Sequence, residues 1–210
     1  FAFVIWDKQE QTLYGARDPF GIKPFYYSVK GDQTYFASEK KSILLALEST
    51  EINKEALQHY FTYQYVPEPE SINKGIQRLE PGHYFVKKLG LPLEIKRYWK
   101  ASFHPVQKSE EDFVKEIRTV LYDSVEKHMR SDVPVGTFLS GGIDSSFVAS
   151  IAKEFHPSIK TFTVGFQRDG YSEIDVAKET AEKLGVENIH HVISTRGRLH
   201  KRWISLIKQT

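Results

Sequence analysis

The sequence predicts two unlike regions in succession: an α+β region built on antiparallel sheets, then an α/β region built on a parallel sheet. Three observations predict it. Turn signals divide the first hundred residues into short aromatic and β-branched runs, which favours antiparallel pairing. From Ser109 onward, apolar runs of strand length alternate with segments of helical period, the order that gives right-handed βαβ crossovers. The 210 residues accommodate one large domain or two small ones, able to bury a core without staples.

In the first region, strands are expected at Phe1 to Trp6, Thr12 to Ala16, Phe25 to Val29 and Thr34 to Ala37, with turns at Asp18-Pro19-Phe20-Gly21 and Lys30-Gly31-Asp32. Helices are expected near Lys41 to Glu48 and near Asn53 to Tyr63, where Asn53 is placed to cap. Pro67-Glu68-Pro69 breaks that pattern. A strand pair follows at His83 to Lys87 and Glu94 to Tyr98, with Gly90-Leu91-Pro92 in its turn. Between Trp99 and Ser109 the sequence is linker-like, and a domain boundary falls there.

The second region opens with a helix signalled by the capping run Ser109-Glu110-Glu111-Asp112 and by Phe113, Ile117, Val120, Leu121, Ser124 and Val125 at helical spacing. Strand Val133 to Leu139, helix Ser145 to Glu154, strand Thr161 to Phe166, helix Ser172 to Leu184 and strand Asn188 to Ile193 are expected after it.

Composition excludes several classes of function. The net charge of +2 is too small to argue for nucleic acid or an anionic membrane as partner. It is also a sum of unlike parts, since residues 1–187 carry −3 and the last 23 carry +5. The absence of cysteine removes a disulfide framework, a cysteine-ligated zinc and a cysteine nucleophile supplied by this sequence. No apolar run approaches the roughly 18 residues of a membrane span, and Phe1 to Trp6 lacks the basic region of a signal peptide. A soluble, cytoplasmic protein is expected.

Chemistry concentrates in residues 133–146, Val-Pro-Val-Gly-Thr-Phe-Leu-Ser-Gly-Gly-Ile-Asp-Ser-Ser. A buried parallel strand runs into Ser140-Gly141-Gly142 and a helix starts within four residues, the edge of an open sheet where ligands sit. Two glycines let the backbone approach a bulky anion and turn N–H groups toward it, and the helix N-terminus adds partial positive charge. Ser140, Ser145 and Ser146 add hydroxyls, so phosphate recognition is expected. Neither G-x-x-x-x-G-K-[ST] nor G-x-G-x-x-G is present. Asp144 beside a phosphate cradle makes sense as a Mg²⁺ ligand bridging to phosphate oxygens. The plainer alternative is that Asp144 and Ser145 only cap the helix.

Ser140-Gly-Gly-Ile-Asp-Ser-Ser146 resembles the pyrophosphate loop of the ATP pyrophosphatase superfamily. That resemblance implies an adenine nucleotide alpha hydrolase-like fold for the second region. It would place Ser140, Gly141, Gly142, Asp144 and Ser145 around the pyrophosphate, and the backbone near Leu139 and Val164 beside adenine. Ala16-Arg-Asp-Pro-Phe-Gly-Ile-Lys-Pro-Phe-Tyr-Tyr27, Phe36-Ala-Ser-Glu-Lys40, Pro81-Gly-His-Tyr-Phe85, Arg97-Tyr-Trp99, Val135-Gly-Thr-Phe-Leu139, Val164-Gly165 and His190-His191 are similar, in order and spacing, to the glutamine-hydrolysing asparagine synthetase family. The resemblance runs from Phe1 to about Ser194. It implies that residues 1–99 are the C-terminal part of an N-terminal-nucleophile, class II glutamine amidotransferase domain. Residues 100–108 would be a linker, and 109–210 the N-terminal part of a synthetase domain. It further implies ATP and Mg as cofactors, with aspartate and glutamine or ammonia converted to asparagine through β-aspartyl-AMP, releasing AMP and diphosphate. A homodimer is implied for full-length members, and neither nucleic acid nor membrane as partner.

Two departures from the family stand out. Its glutaminase nucleophile is an N-terminal cysteine, which this sequence lacks, so no catalytic residue is assigned and the chain is expected to be a fragment. After Ser194 the family continues with an acidic helical segment, whereas Thr195 to Trp203 here is basic. A truncation, a reading-frame shift and a genuine basic tail all stand open, and the abrupt loss of acidic residues favours the frame shift. Other functions remain in view: an inactive remnant with at most weak nucleotide binding, or a tRNA-thiolating or β-lactam-forming relative with the same loop. His190 and His191, adjacent on a strand, point to opposite faces and so form no metal pair. Tyr60, Phe61, Tyr63 and Tyr65 are expected in core and interdomain packing. Glu39, Arg17 and Asp18 are expected in ion pairs that support the scaffold.

Overall fold

The computed structural model describes residues 1–47, 51–166 and 173–193. The chain divides into two compact units, Phe1–Pro105 and Val106–Thr210.

In the first unit, β1 (Ala2–Asp7) and β2 (Thr12–Arg17) form an antiparallel pair with Ala2 opposite Arg17 and Asp7 opposite Thr12. The Asp7 carboxylate closes their turn by accepting the N–H groups of Gln9 at 2.8 Å and Glu10 at 3.0 Å. β2 also pairs with β6 (His83–Lys88), and β6 with β7 (Glu94–Arg97), completing a four-stranded antiparallel sheet. A second antiparallel sheet has β3 (Tyr26–Lys30) between β4 (Gln33–Ala37) and the two-residue β5 (Gln77–Arg78). Phe25, Tyr27, Leu79 and Phe85 form the core between the sheets, with Val4 and Leu13 against them. The helix α1 (Lys40–Leu47) covers the second sheet with Ile43 and Leu47, which pack on Ile76, Tyr26 and Tyr35. β5 has no sequence signal, because two residues carry no periodicity.

The helix α2 (Lys54–Tyr63) begins as expected, with the Asn53 side chain accepting the Ala56 N–H at 3.2 Å. The expected burial of its aromatics in the core is overturned. Ala56 is the buried residue of this helix, and Tyr60, Phe61, Tyr63 and Tyr65 are exposed. The apolar residues of α2 share one side, yet its rings stay exposed and pack on one another and on Tyr65, because Ala56 is the residue of that side that reaches the core.

In the second unit, α3 (Glu110–His128) carries the Ser109 cap, whose Oγ accepts the Asp112 N–H at 3.2 Å and donates to the Asp112 carboxylate at 2.7 Å. Then come β8 (Gly136–Phe138), α4 (Ile143–Phe155), β9 (Lys160–Phe166), α5 (Ile174–Leu184) and β10 (Glu187–Ile193). The three strands form a parallel sheet in the order β10, β9, β8. β8 is shorter than the expected Val133 to Leu139, because only Gly136 to Phe138 pair with β9 as a ladder. α4 starts two residues before the expected Ser145.

Val125, Met129, Ile151, Ala152 and Ile159 form one core of this unit. Leu139, Ala149, Ala177 and Ala181 form another, in which small residues let α4 and α5 lie close to the end of β8. On β9 the buried residues are Thr161, Thr163 and Gly165, while Val164 and Phe166 are exposed on the opposite side. Among the described residues, no helix is long and apolar enough to cross a membrane. The segment from Thr195 to Trp203 lies outside the described residues.

Candidate functional site

The turn from β8 into α4 brings Ser140, Gly141, Gly142, Asp144 and Ser145 together in a single loop and first helical turn. Gly141 has φ +82°, a left-handed conformation that glycine adopts without strain. Gly142 is the N-cap of α4 and supplies no side-chain cap, unlike Asn53 and Ser109 at the starts of α2 and α3. The Ser146 N–H is already bonded to the Gly142 carbonyl at 3.1 Å. The N–H groups of Ile143, Asp144 and Ser145 precede the first helical acceptor and so have no partner within the helix. An uncapped helix start of this kind concentrates donors and partial positive charge where an anion can reach them.

The hydroxyls set the shape of the loop. The Ser145 Oγ accepts the Ser140 N–H at 3.2 Å, lies 3.0 Å from the Ser140 Oγ and reaches the Gly142 carbonyl at 3.1 Å. The Ser146 Oγ donates to the same carbonyl at 2.8 Å. Ser145 therefore ties the strand end to the helix start across the glycines. Asp144 is exposed in the first turn of α4, beside the open N–H groups, and the Asn53-type cap that the plainer alternative required of Asp144 or Ser145 is absent at this helix.

Leu139 and Val164 sit differently. The Leu139 side chain is 1 % exposed in the alanine core. Its N–H donates to Phe162 at 2.9 Å and its carbonyl accepts the Thr163 hydroxyl at 2.7 Å, so it can offer a ligand only the flank of its backbone. Val164 is partly exposed near the C-terminal end of β9. Among the described residues, no group of three or more His, Asp or Glu side chains could hold a metal ion. Mg²⁺ commonly keeps several waters and binds through one or two carboxylates plus substrate phosphates, so Asp144 fits an ion that arrives with a nucleotide.

Thr161 and Thr163 are buried on β9 and accept hydrogen bonds from Asn188 on β10, and Thr163 donates to the Leu139 carbonyl. The alternate polar positions in Thr161-Phe-Thr-Val-Gly165 are the sequence signal for the two threonines, and Asn188 has none. His190 is exposed and His191 half-buried, in line with opposite faces.

The polar residues of the first unit form a scaffold. The Arg17 guanidinium is buried and donates to Glu68 at 3.0 Å and to the carbonyls of Leu79 at 2.6 Å, Lys23 at 2.8 Å and Gly21 at 2.9 Å. Asp18 accepts the N–H groups of Phe20, Ile22 and Lys23 at 3.0–3.1 Å. Burial alone would push its carboxyl up, but the backbone donors of Lys23, Ile22 and Phe20 oppose it, and the carboxyl is held well below the usual range. Glu39 is exposed and pairs with Lys41.

Residues 1–99 match the family model for a glutamine amidotransferase domain, and residues 116–206 match that for asparagine synthase. The glutamine-hydrolyzing asparagine synthetase 1 of Bacillus subtilis (strain 168) is 59% identical over 194 residues, which are 92% of this chain and 31% of that protein. The chain is similar to asparagine synthetases along nearly all of its length. Amidase chyE of Penicillium rubens is 36% identical over 91% of this chain and 31% of its own length. The glutamine-hydrolyzing asparagine synthetase 3 of Bacillus subtilis (strain 168) is 35% identical over 93% of this chain and 33% of its own. The chain thus spans about a third of the length of these asparagine synthetase relatives. Antiparallel sheets coincide with the amidotransferase match and the parallel sheet with the synthase match.

Proposed function

We propose that this chain is a segment of an asparagine-forming ligase, and that the β8 to α4 loop is where ATP is held. Residues 1–99 are the C-terminal part of a class II amidotransferase domain of the N-terminal-nucleophile type, 100–108 a linker, and 109–210 the N-terminal part of an ATP pyrophosphatase domain. The observation that carries the loop assignment is the uncapped start of α4, opened by two glycines and flanked by three serine hydroxyls and one carboxylate.

The N–H groups of Gly141, Gly142 and the first turn of α4, with the hydroxyls of Ser140 and Ser145, bind the β and γ phosphates. The backbone flanks of Leu139 and Val164 lie beside adenine. Asp144 would hold Mg²⁺, which would supply charge neutralisation on the departing diphosphate. A carboxylate is a poor electrophile until one of its oxygens is carried on a good leaving group. Aspartate attack on the α phosphorus gives β-aspartyl-AMP, and ammonia then displaces AMP to leave asparagine. Donors aimed at the leaving group lower the barrier of the first step because charge develops there. The chain has no cysteine, so glutamine hydrolysis is assigned to none of its residues. The 59% identity to an asparagine synthetase against 36% to an amidase favours aspartate as the acceptor over other carboxylates.

Calorimetry of the 210-residue chain with Mg-ATP tests the loop. Binding that Asp144→Ala abolishes supports the assignment, and absence of binding by the parent chain overturns it in favour of an inactive remnant.

A further inference from the structure

We propose that Asn188 and Thr163 are positioning residues that aim the phosphate loop through the carbonyl of Leu139. The proposal rests on the loop assignment above only where ligand affinity is concerned. Asn188 lies on β10, and its Nδ2 donates one hydrogen to the Thr161 Oγ1 and the other to the Thr163 Oγ1, each at 2.9 Å. Each hydroxyl has a single proton to give in return. Thr163 gives it to the Leu139 carbonyl at 2.7 Å, and Thr161 gives it to the Glu187 carbonyl at 3.0 Å. A directed chain therefore crosses all three strands, from Asn188 through Thr163 to the last residue before Ser140.

Direction is the informative part. The Asn188 Oδ1 is buried and unpartnered, so the amide is anchored through its Nδ2 bonds to the two hydroxyls. With the amide reversed, both hydroxyl protons would turn to Oδ1, and the carbonyls of Leu139 and Glu187 would lose these donors. Thr161 and Thr163 are at most 2 % exposed, which keeps water from substituting. The Leu139 peptide plane, held by Phe162 on its N–H and Thr163 on its carbonyl, fixes the direction in which the chain leaves β8 into Ser140-Gly141-Gly142.

The test combines amide hydrogen exchange by NMR with calorimetry using Mg²⁺ and inorganic pyrophosphate, on the 210-residue chain. Thr163→Val, nearly isosteric but without a proton, is expected to speed exchange at Ser140 to Ser145 while β9 and β10 stay protected. It should also weaken pyrophosphate binding about 5- to 10-fold, the value of one hydrogen bond. Thr163→Ser restores both. Asn188→Asp, whose carboxylate only accepts, should loosen the loop more than Asn188→Ala, which leaves the Thr163 proton on Leu139. Loop exchange unchanged in Thr163→Val, exchange raised equally across all three strands, or failure of Thr163→Ser to restore the loop would each overturn the proposal. Absence of pyrophosphate binding by the parent would sink the loop assignment, while the exchange pattern still decides the positioning role.

Discussion

The backbone of Gly141 rests against the side chain of Val176 on α5: a Cβ at Gly141 would stand 2.9 Å from the Val176 Cγ1. A Cβ at Gly142 would meet only the Ser140 Oγ, at 3.5 Å. The two glycines therefore serve different ends. Gly141→Ala meets both a left-handed φ and a packed helix, and should cost roughly 2–4 kcal/mol of stability. Gly142→Ala should cost under about 1 kcal/mol, since its φ of −73° suits any residue. Under the proposed loop assignment its methyl would crowd the phosphate, so pyrophosphate affinity should fall by more than tenfold. Urea unfolding beside calorimetry separates the two, and unchanged pyrophosphate affinity in Gly142→Ala would contradict a ligand at that glycine.

Acid sensitivity should trace to Asp18. Its folded pKa lies below its unfolded value of about 3.9, so its contribution is fully present above that pH and is lost as pH falls through the folded pKa. Stability should decline below about pH 4 in the parent and decline less steeply in Asp18→Asn, which is itself about 2–3 kcal/mol less stable at pH 7. Equal slopes in urea titrations from pH 5 down to pH 2 would reject this role.

Much of the fold is legible in local pattern because turn residues and helix caps act within a few positions. The Asn53 and Ser109 caps are of this kind, as is the glycine-opened start of α4. The pattern misleads where burial is decided by distant partners. On β9 the alternation alone would put Phe162, Val164 and Phe166 in a core, yet the side bearing Thr161, Thr163 and Gly165 is the buried one, and its polar residues are satisfied by β10 and the end of β8. The ion-pairing of Arg17 is legible but its partners are not, because Glu68 is 51 positions away and Leu79 is 62. Loop residues of the candidate site were readable because they are contiguous. The Asn188 to Leu139 chain was not, because it joins three strands.

Arg17 should dominate the polar stability of the first unit. It is buried with one carboxylate and three carbonyls as acceptors, and a lysine ammonium cannot reproduce that planar fork. Arg17→Lys should lose about 2–4 kcal/mol and Arg17→Ala about 3–5 kcal/mol, since both leave Glu68 and buried carbonyls short of donors. Glu39→Gln, which removes an exposed pair with Lys41, should change stability by under about 0.5 kcal/mol. Urea midpoints of the three variants give the comparison, and similar losses at Arg17 and Glu39 would refute it.

Asp144 offers a prediction whose sign changes with conditions. An exposed carboxylate in the first turn of α4 is favoured by the helix dipole, so removing its charge should cost only about 0.3–1 kcal/mol of stability. Toward pyrophosphate it is a like charge set beside the donors proposed to bind the anion. Without Mg²⁺, Asp144→Asn should therefore bind pyrophosphate more tightly than the parent. With Mg²⁺, the parent gains a bridging cation that the amide holds poorly, and the order should reverse, with the variant about tenfold weaker. Calorimetry in EDTA and then in excess Mg²⁺ measures both orders on one preparation. If the variant keeps the parent's enhancement by Mg²⁺, Asp144 is not the ligand of the ion, and its place at the head of α4 is explained by the helix alone.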